Sequence, residues 1–308
     1  MKGTVIKSTG NQYRVLFEDG RIVFCKIKGN LRLQEFEATN PITVGDKVEV
    51  EMNENMDTDF FWITKLYERK NYIIRKSVKL SSQVQIIAAN IDRAFVVATP
   101  VLPRTSLGFI DRFLATAEAY SLSAGIIWNK CDLYTEDVWE NVRQLKRLYE
   151  EIGYMVIAVS ALTGEGVEEL GDAMNDKVSL FSGHSGVGKS SLINRLIPGK
   201  DLKTAKISLQ HMKGIHTTTF AEMHTLPSGG FIIDTPGIRE FGTIDFDKHE
   251  VSHFFPEIFV ISKNCKFNNC LHTNEKDCAV KPSVENGVIA MSRFESYLSI
   301  VSGQDIYK

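Results

Sequence analysis

The 308-residue sequence is short of long apolar runs, of net charge and of paired cysteines. No apolar stretch reaches the roughly 18 residues that a membrane span needs. The start, Met1-Lys2-Gly3-Thr4-Val5-Ile6-Lys7, has no signal-peptide core. A cytoplasmic, monomeric protein without a membrane partner is therefore expected. Lys and Arg number 36 against 38 Asp and Glu, a net charge of −2. Bulk electrostatics thus gives no reason for a nucleic-acid partner, although an average can hide a basic patch. A 43% hydrophobic fraction with 22 Gly and 8 Pro excludes collagen, coiled coil and a disordered chain. Five cysteines are an odd number, and three of them lie between 265 and 278. In a reducing compartment that clustering favours a metal over disulfides. At roughly 100–200 residues per domain the length predicts two or three domains.

Residues 1–70 read as an all-β domain. Tyr13-Arg14-Val15-Leu16-Phe17 and Arg21-Ile22-Val23-Phe24-Cys25 are β-rich runs joined by Glu18-Asp19-Gly20, a hairpin signal. Val44–Val50 and Phe60–Ile63 add further strands. Short strands separated by turns predict a small barrel of the OB type, an architecture that often binds oligonucleotides. Over 71–242 buried strands alternate with helices: Ala94–Ala98, Gly125–Trp128, Met155–Val159, Val178–Phe181 and Phe231–Ile233, with helical stretches at Phe109–Tyr120 and Glu136–Ile152. That alternation predicts a doubly wound α/β domain. Over 243–308 a Cys/His-rich segment and an amphipathic stretch, Val284 to Val301, predict a small helical domain stapled by metal.

Strand Val178–Phe181 runs into Gly183-His184-Ser185-Gly186-Val187-Gly188-Lys189-Ser190, followed by the helical run from Ser191. This is the G-x-x-x-x-G-K-[ST] pattern, in which glycines turn backbone N–H groups around phosphates. Lys189 would reach the β- and γ-phosphates and Ser190 would bind Mg²⁺. Asp234-Thr235-Pro236-Gly237 follows another strand. It fits D-x-x-G, with Asp234 near the Mg²⁺ and the Gly237 N–H at the γ-phosphate. Asn129-Lys130-Cys131-Asp132 fits N-K-x-D. Its Asp132 carboxylate can accept from guanine N1–H and the N2 amine, neither of which adenine offers, so GTP is favoured over ATP. Ser160-Ala161 fits the loop whose backbone N–H meets guanine O6.

Motif order is unusual. The base-reading loops at 129–132 and 160–161 precede the phosphate loop at 183–190 and the D-x-x-G at 234–237. A circularly permuted GTPase domain gives that order, with the segment from Thr163 to Lys177 joining the former termini. The chain then passes from D-x-x-G almost directly into the C-terminal domain, so that γ-phosphate sensing can reposition it.

Residues 195–216 carry Arg195, Lys200, Lys203, Lys206 and Lys213 against Asp201, a local charge of +4. An RNA contact is expected there. Gly214-Ile215-His216-Thr217-Thr218-Thr219 follows. Thr218 is the favoured second Mg²⁺ ligand, with Thr217 and Thr219 left open. Ile238 stands where related nucleotide hydrolases place a water-orienting glutamine. Unassisted hydrolysis should be slow, and His216 is the nearest replacement. Cys265, Cys270, His272 and Cys278 form the Cys₃His donor set of a closed, structural Zn²⁺ site. Cys25 reads as a core residue.

On these motifs the sequence resembles the circularly permuted, ribosome small-subunit-dependent GTPase family of bacteria (RsgA type). The resemblance covers essentially the whole chain. It implies an OB-type barrel, a GTPase stimulated by the 30S subunit in late small-subunit maturation through 16S rRNA, one structural Zn²⁺ and Mg²⁺ with GTP. His216 is implied as the catalytic histidine alongside Lys189. Ile215 departs from the arginine expected before His-Thr-Thr. Two competing functions are a nucleotide-switched rRNA-binding scaffold with little turnover and a zinc-stapled ATPase.

Overall fold

A computed structural model describes residues 1–10, 12–28, 41–52, 60–76, 84–200, 202, 221–234 and 246–303. They fall into two compact units.

The first unit opens with five strands: β1 (Lys2–Ser8), β2 (Tyr13–Phe17), β3 (Ile22–Ile27), β4 (Lys47–Met52) and β5 (Phe60–Leu66). The Asp19-Gly20 turn makes β2 and β3 an antiparallel hairpin, as its sequence predicts. Gly20 takes the left-handed φ of +84° and the Asp19 carboxylate accepts from the Arg21 N–H at 3.0 Å. β3 then pairs in parallel with β5, β5 antiparallel with β4, and β4 returns to β1, closing a barrel. Alternation fills it: Val5, Tyr13, Val15, Val48, Val50 and Ile63 point inward. Cys25 is fully buried among them, and burial pushes its thiol up to about 12, the behaviour of a core residue.

Sequence reasoning missed β1, because Lys2 and Lys7 mask an apolar inner row. It also missed the hairpin of β6 (Tyr72–Lys76) and β7 (Val84–Ala89), in a stretch read as the start of the α/β pattern. The unit further includes β11 (Val178–Ser182, to Phe181), β12 (Glu222–Thr225) and β13 (Phe231–Asp234). β11 and β13 are parallel, and β12 runs antiparallel between β13 and β1, with Lys7 paired to Glu222 at 3.0 Å. Asp92 accepts from the Val178 N–H at 2.9 Å and from Lys70 at 3.0 Å. Burial alone would raise its pKa, but these donors hold the carboxyl below the usual range.

The second unit carries β8 (Arg93–Ala98, from Ala94), β9 (Ser123–Asn129) and β10 (Met155–Val159), in the order β10-β9-β8 with β9 and β10 parallel. Its helices are α1 (Leu107–Ala119), α2 (Glu136–Ile152), α3 (Val167–Met174, to Leu170) and α4 (Lys189–Leu196). Ser106 caps α1 by accepting from the Phe109 N–H. α2 ends, as predicted, on Gly153 in the left-handed conformation. Three more helices follow: α5 (Pro256–Ser262), α6 (Val280–Glu285) and α7 (Met291–Val301). Among the described residues no strand follows Asp234. The expected single stretch Val284–Val301 is instead two helices, broken at Asn286-Gly287 where Gly287 takes a φ of +73°. Their core joins Val251, Phe255, Ile258, Tyr297 and Ala115 of α1.

Candidate nucleotide site and metal cluster

β11 delivers the chain into the Gly183–Gly188 loop, and Gly188 caps α4 with a left-handed φ of +93°. Two of its glycines are fixed by their surroundings. A Cβ on Gly183 would lie 2.3 Å from the Val97 carbonyl, and one on Gly188 2.4 Å from Asn129 Nδ2. The loop can therefore close only against bare backbone.

Asn129, 1% exposed, is the splice between motifs. Its Nδ2 donates to the Val187 carbonyl at 2.8 Å and its Oδ1 accepts from the Ala161 N–H at 3.2 Å. One buried amide thus joins N-K-x-D, the phosphate loop and the Ser160-Ala161 loop. Lys130, held at a φ of +67°, donates from Nζ to the carbonyls of Gly186 at 2.7 Å and Leu102 at 2.5 Å. Burial depresses its pKa, opposed by the Asp132 charge. Asp132 is solvent-exposed at the head of the loop. Its Oδ1 accepts from Ser160 Oγ at 2.5 Å, and that hydroxyl in turn accepts from the Thr163 N–H. The carboxylate is thereby aimed while its remaining lone pairs stay open to a ligand. Cys131 is buried, and burial followed by Glu165 pushes its thiol up to about 12.

Lys189 donates to the carbonyls of Gly183 at 2.5 Å and His184 at 2.8 Å, so the loop folds back on its own cation. His184 packs its ring 3.8 Å from that of Phe109 in α1. Ser185 and Gly186 are exposed, Ser190 and Ser191 half-buried at the start of α4. Arg195, read from sequence as part of the basic stretch, turns back and donates to the Thr163 carbonyl at 3.1 Å. Asp234 ends β13 level with Phe181 of β11. Gly237, Ile238, His216, Thr217, Thr218, Thr219 and the cations Lys203, Lys206 and Lys213 lie outside the described residues.

The sulfur and nitrogen donors of Cys265, Cys270, His272 and Cys278 all lie within 4.8 Å of one another. His272 Nδ1 is 3.7 Å from Cys265 Sγ and 3.5 Å from Cys278 Sγ, and the Ala279 N–H donates to Cys265 Sγ at 3.4 Å. Donors at about 2.0–2.3 Å around a tetrahedral ion are spaced about this far apart. The fit is chemical as well. Burial holds the His272 imidazole below its ordinary pKa, hence neutral, and pushes the Cys270 thiol up to about 12. Without a cation the Cys270 proton stays on, so binding must displace it, and occupancy falls as pH falls. Glu275 braces the turn through the N–H groups of Leu271 and Thr273. Chelation is expected to release one metal ion per chain, more readily at pH 5 than at pH 8, and to lower the melting temperature. Metal analysis alongside thermal melts checks this; Cys270→Ser should reproduce the destabilisation.

One cluster escaped sequence reasoning. Arg293 of α7, wholly buried, donates from Nη1 to Asp111 Oδ1 of α1 at 2.8 Å and from Nε to Glu257 of α5 at 2.7 Å. Tyr149 donates to the same Asp111 oxygen at 2.7 Å, and the guanidinium lies 4.5 Å from the Phe255 ring centroid. Desolvation opposes the Arg293 charge, yet Asp111 and Glu257 hold its pKa well above the ordinary value. The one signal in the sequence was Asp111 itself, an acid inside the apolar run of a helix.

Residues 66–244 match the family described as RsgA GTPase, and residues 2–58 the RsgA N-terminal domain. The chain is 52% identical over 305 residues to a small ribosomal subunit biogenesis GTPase RsgA of Bacteroides fragilis, covering 99% of this chain and 97% of that one. It is 48% identical over 308 residues to its namesake in Porphyromonas gingivalis, covering 99% and 98%. Among solved structures, YjeQ from Thermotoga maritima superposes with a TM-score of 0.79 at 35% identity, covering 98% and 97%. YloQ, described as a circularly permuted GTPase, gives 0.77 at 27% identity, covering 98% and 94%.

Proposed function

The chain belongs to the RsgA GTPase family, and from that premise we propose that it is a GTP hydrolase stimulated by the small ribosomal subunit. It acts in late 30S maturation through contacts with 16S rRNA. The observation that carries the nucleotide chemistry is Asn129, whose amide binds the phosphate loop at Val187 and the base loop at Ala161 at once. The ribosomal partner is supported by relatives about half identical over nearly their whole length and named for small-subunit biogenesis.

In this proposal Asp132, aimed by Ser160, reads guanine N1–H and its amine, and the stem of Lys130 covers the base. Lys189 leaves the Gly183 and His184 carbonyls for the β- and γ-phosphates. Ser190 and Thr218 would hold Mg²⁺, helped by Asp234, and the ion would neutralise phosphate charge. Gly237 reads the γ-phosphate, and His216 orients the attacking water on the ribosome. Cys265, Cys270, His272 and Cys278 hold one Zn²⁺, which staples the helical domain. Residues 1–70, 71–242 and 243–308 serve as RNA-binding barrel, GTPase and zinc domain of a monomeric cytoplasmic protein. Among the described residues no helix is long and apolar enough to cross a membrane.

Ile238, in place of a glutamine, favours one second function: an rRNA-binding scaffold switched by nucleotide with little turnover. Protection of 16S rRNA on purified 30S subunits, mapped with GDP and with a non-hydrolysable GTP analogue, tests the ribosomal role. A footprint that changes with nucleotide is expected; no protection with either would overturn it. His216→Ala should lower the 30S-stimulated kcat by about tenfold or more while leaving GDP affinity unchanged. Equal rates in single-turnover assays would remove His216 from the chemistry.

A further inference from the structure

Outside the nucleotide loops and the metal cluster, a cavity of about 510 Å³ opens between the N-terminal ends of α1 and α2, at the carboxyl end of β9. Its size falls in the roughly 300–1,000 Å³ range of small-molecule sites. Trp128, Leu107, Val138 and Leu145 give it an apolar body, and the exposed Arg104 and Asp137 stand at its edge. One wall is the loop that follows β8, and it is already held in shape. The Thr105 N–H donates to the Thr99 carbonyl at 2.8 Å, and the Thr99 N–H to Thr105 Oγ1 at 3.2 Å.

The polar groups of the cavity ask for an anion. Trp128 is 1% exposed, and its indole Nε1 has no hydrogen-bond partner. A buried donor left unmade is costly. The protein around it supplies no acceptor, and the cavity that Trp128 borders is where one can sit. Ser106 Oγ accepts from the Phe109 N–H at 3.3 Å, which leaves the N–H groups of Leu107 and Gly108 without partners among the described residues. No acid stands in the first turn of α1, whereas α2 carries Glu136 and Asp137 in its own. The uncompensated positive end is therefore that of α1. Arg104 makes no ion pair among the described residues. A cationic guest would meet Arg104, and a purely apolar one would leave the Trp128 N–H unmade. A dianion would set its second charge against Asp137. A carboxylate carries one charge on two oxygens, one for Trp128 and one for Arg104 and the helix end, with a chain to fill the apolar body.

The same loop reaches the base-reading motif. Leu102, between the cavity residues Pro100 and Arg104, accepts through its carbonyl from Lys130 Nζ at 2.5 Å, and Lys130 also donates to Gly186 of the phosphate loop at 2.7 Å. Resting, for its second half, on the guanine-binding function proposed above, we propose that this cleft binds a small monocarboxylate with an apolar body, and that filling it tightens guanine-nucleotide binding by fixing the Leu102 carbonyl against Lys130. Two sites joined by one loop influence each other equally, so the nucleotide must tighten the carboxylate in return.

Indole N–H resonances of the full, ¹⁵N-labelled chain read the site directly. The sequence has three tryptophans, and Trp128→Phe identifies the signal of Trp128. Titration with 4-phenylbutyrate should move that signal downfield as the N–H gains an acceptor. The alcohol with the same tail, 4-phenylbutanol, should bind about tenfold more weakly, and 4-phenylbutylamine more weakly still. Arg104→Ala should bring the acid down to the affinity of the alcohol; because Arg104 is exposed, the melting temperature should hold. Saturating acid should tighten the binding of a fluorescent GDP about fivefold, and GDP should tighten the acid by the same factor. An unmoved Trp128 signal, equal affinity for acid and alcohol, or an acid affinity unchanged by Arg104→Ala would overturn the site. So would tightest binding by the amine, which would assign the cleft to Asp137 and a cation. GDP affinity that ignores the acid, in protein whose Trp128 signal moves, would overturn the coupling alone. If the chain binds no guanine nucleotide while Trp128 still responds to the acid, the GTPase function fails and the cleft stands.

Discussion

Asp132→Asn is expected to weaken GDP and GTP binding by about 10²- to 10⁴-fold while raising affinity for xanthosine nucleotides. Two hydrogen bonds to a charged acceptor, at about 1.5–3 kcal/mol each, set that range. The exchange of partners is chemical. Asparagine keeps one oxygen for the base N1–H but presents an amine where guanine also presents one. Xanthine has a carbonyl there and accepts. Ser160 Oγ, 2.5 Å from Asp132 Oδ1, can donate to the amide oxygen as it does to the carboxylate, so the loop should hold its shape. Competition of xanthosine, guanosine and adenosine diphosphates against a fluorescent GDP reads the result. Comparable ADP and GDP affinity in the wild type would sink the role of Asp132 and favour an ATPase.

Arg293→Met should destabilise the protein by about 3–5 kcal/mol, because it leaves the buried Asp111 and the half-buried Glu257 without their cation. Asp111 and Glu257 are reached from Nη1 and Nε at 2.8 and 2.7 Å; Asp111 is wholly buried, and Glu257 keeps only 14% of its side chain exposed. The triple variant Arg293→Met, Asp111→Asn, Glu257→Gln should recover much of that loss, since neutral partners no longer need the guanidinium. Denaturant unfolding of the three proteins measures both effects. A single variant as stable as the wild type would show that the network contributes nothing. The same ion network binds α7 and α5 to α1, whose Phe109 ring packs on His184 of the phosphate loop. Any nucleotide-driven movement of the C-terminal helices must either carry α1 along or break these contacts.

Short-range chemistry was the legible part of this sequence. Gly183 to Ser190, Asn129 to Asp132 and the Cys265–Cys278 spacing each place several donors within a few residues, so local geometry follows from the pattern. The Asp19-Gly20 hairpin and the Gly153 stop of α2 were legible for the same reason: one residue type satisfies the backbone there. Long-range pairing was not. β1 finds its partners at β2, β4 and β12, up to Glu222 in sequence, and nothing within Lys2–Ser8 encodes them. Arg293, 182 residues from Asp111, looks like an ordinary surface charge until the helices meet. Asn129 was expected to serve the nucleotide; its splicing of Val187 to Ala161 required the fold.

Steady-state GTP turnover with and without purified 30S subunits decides whether the protein is a ribosome-stimulated enzyme. Turnover should be slow alone, because Ile238 cannot orient water, and kcat should rise about tenfold or more with 30S. Turnover unchanged by 30S, in protein that still binds GTP and still footprints on the subunit, would contradict it and leave a nucleotide-switched scaffold.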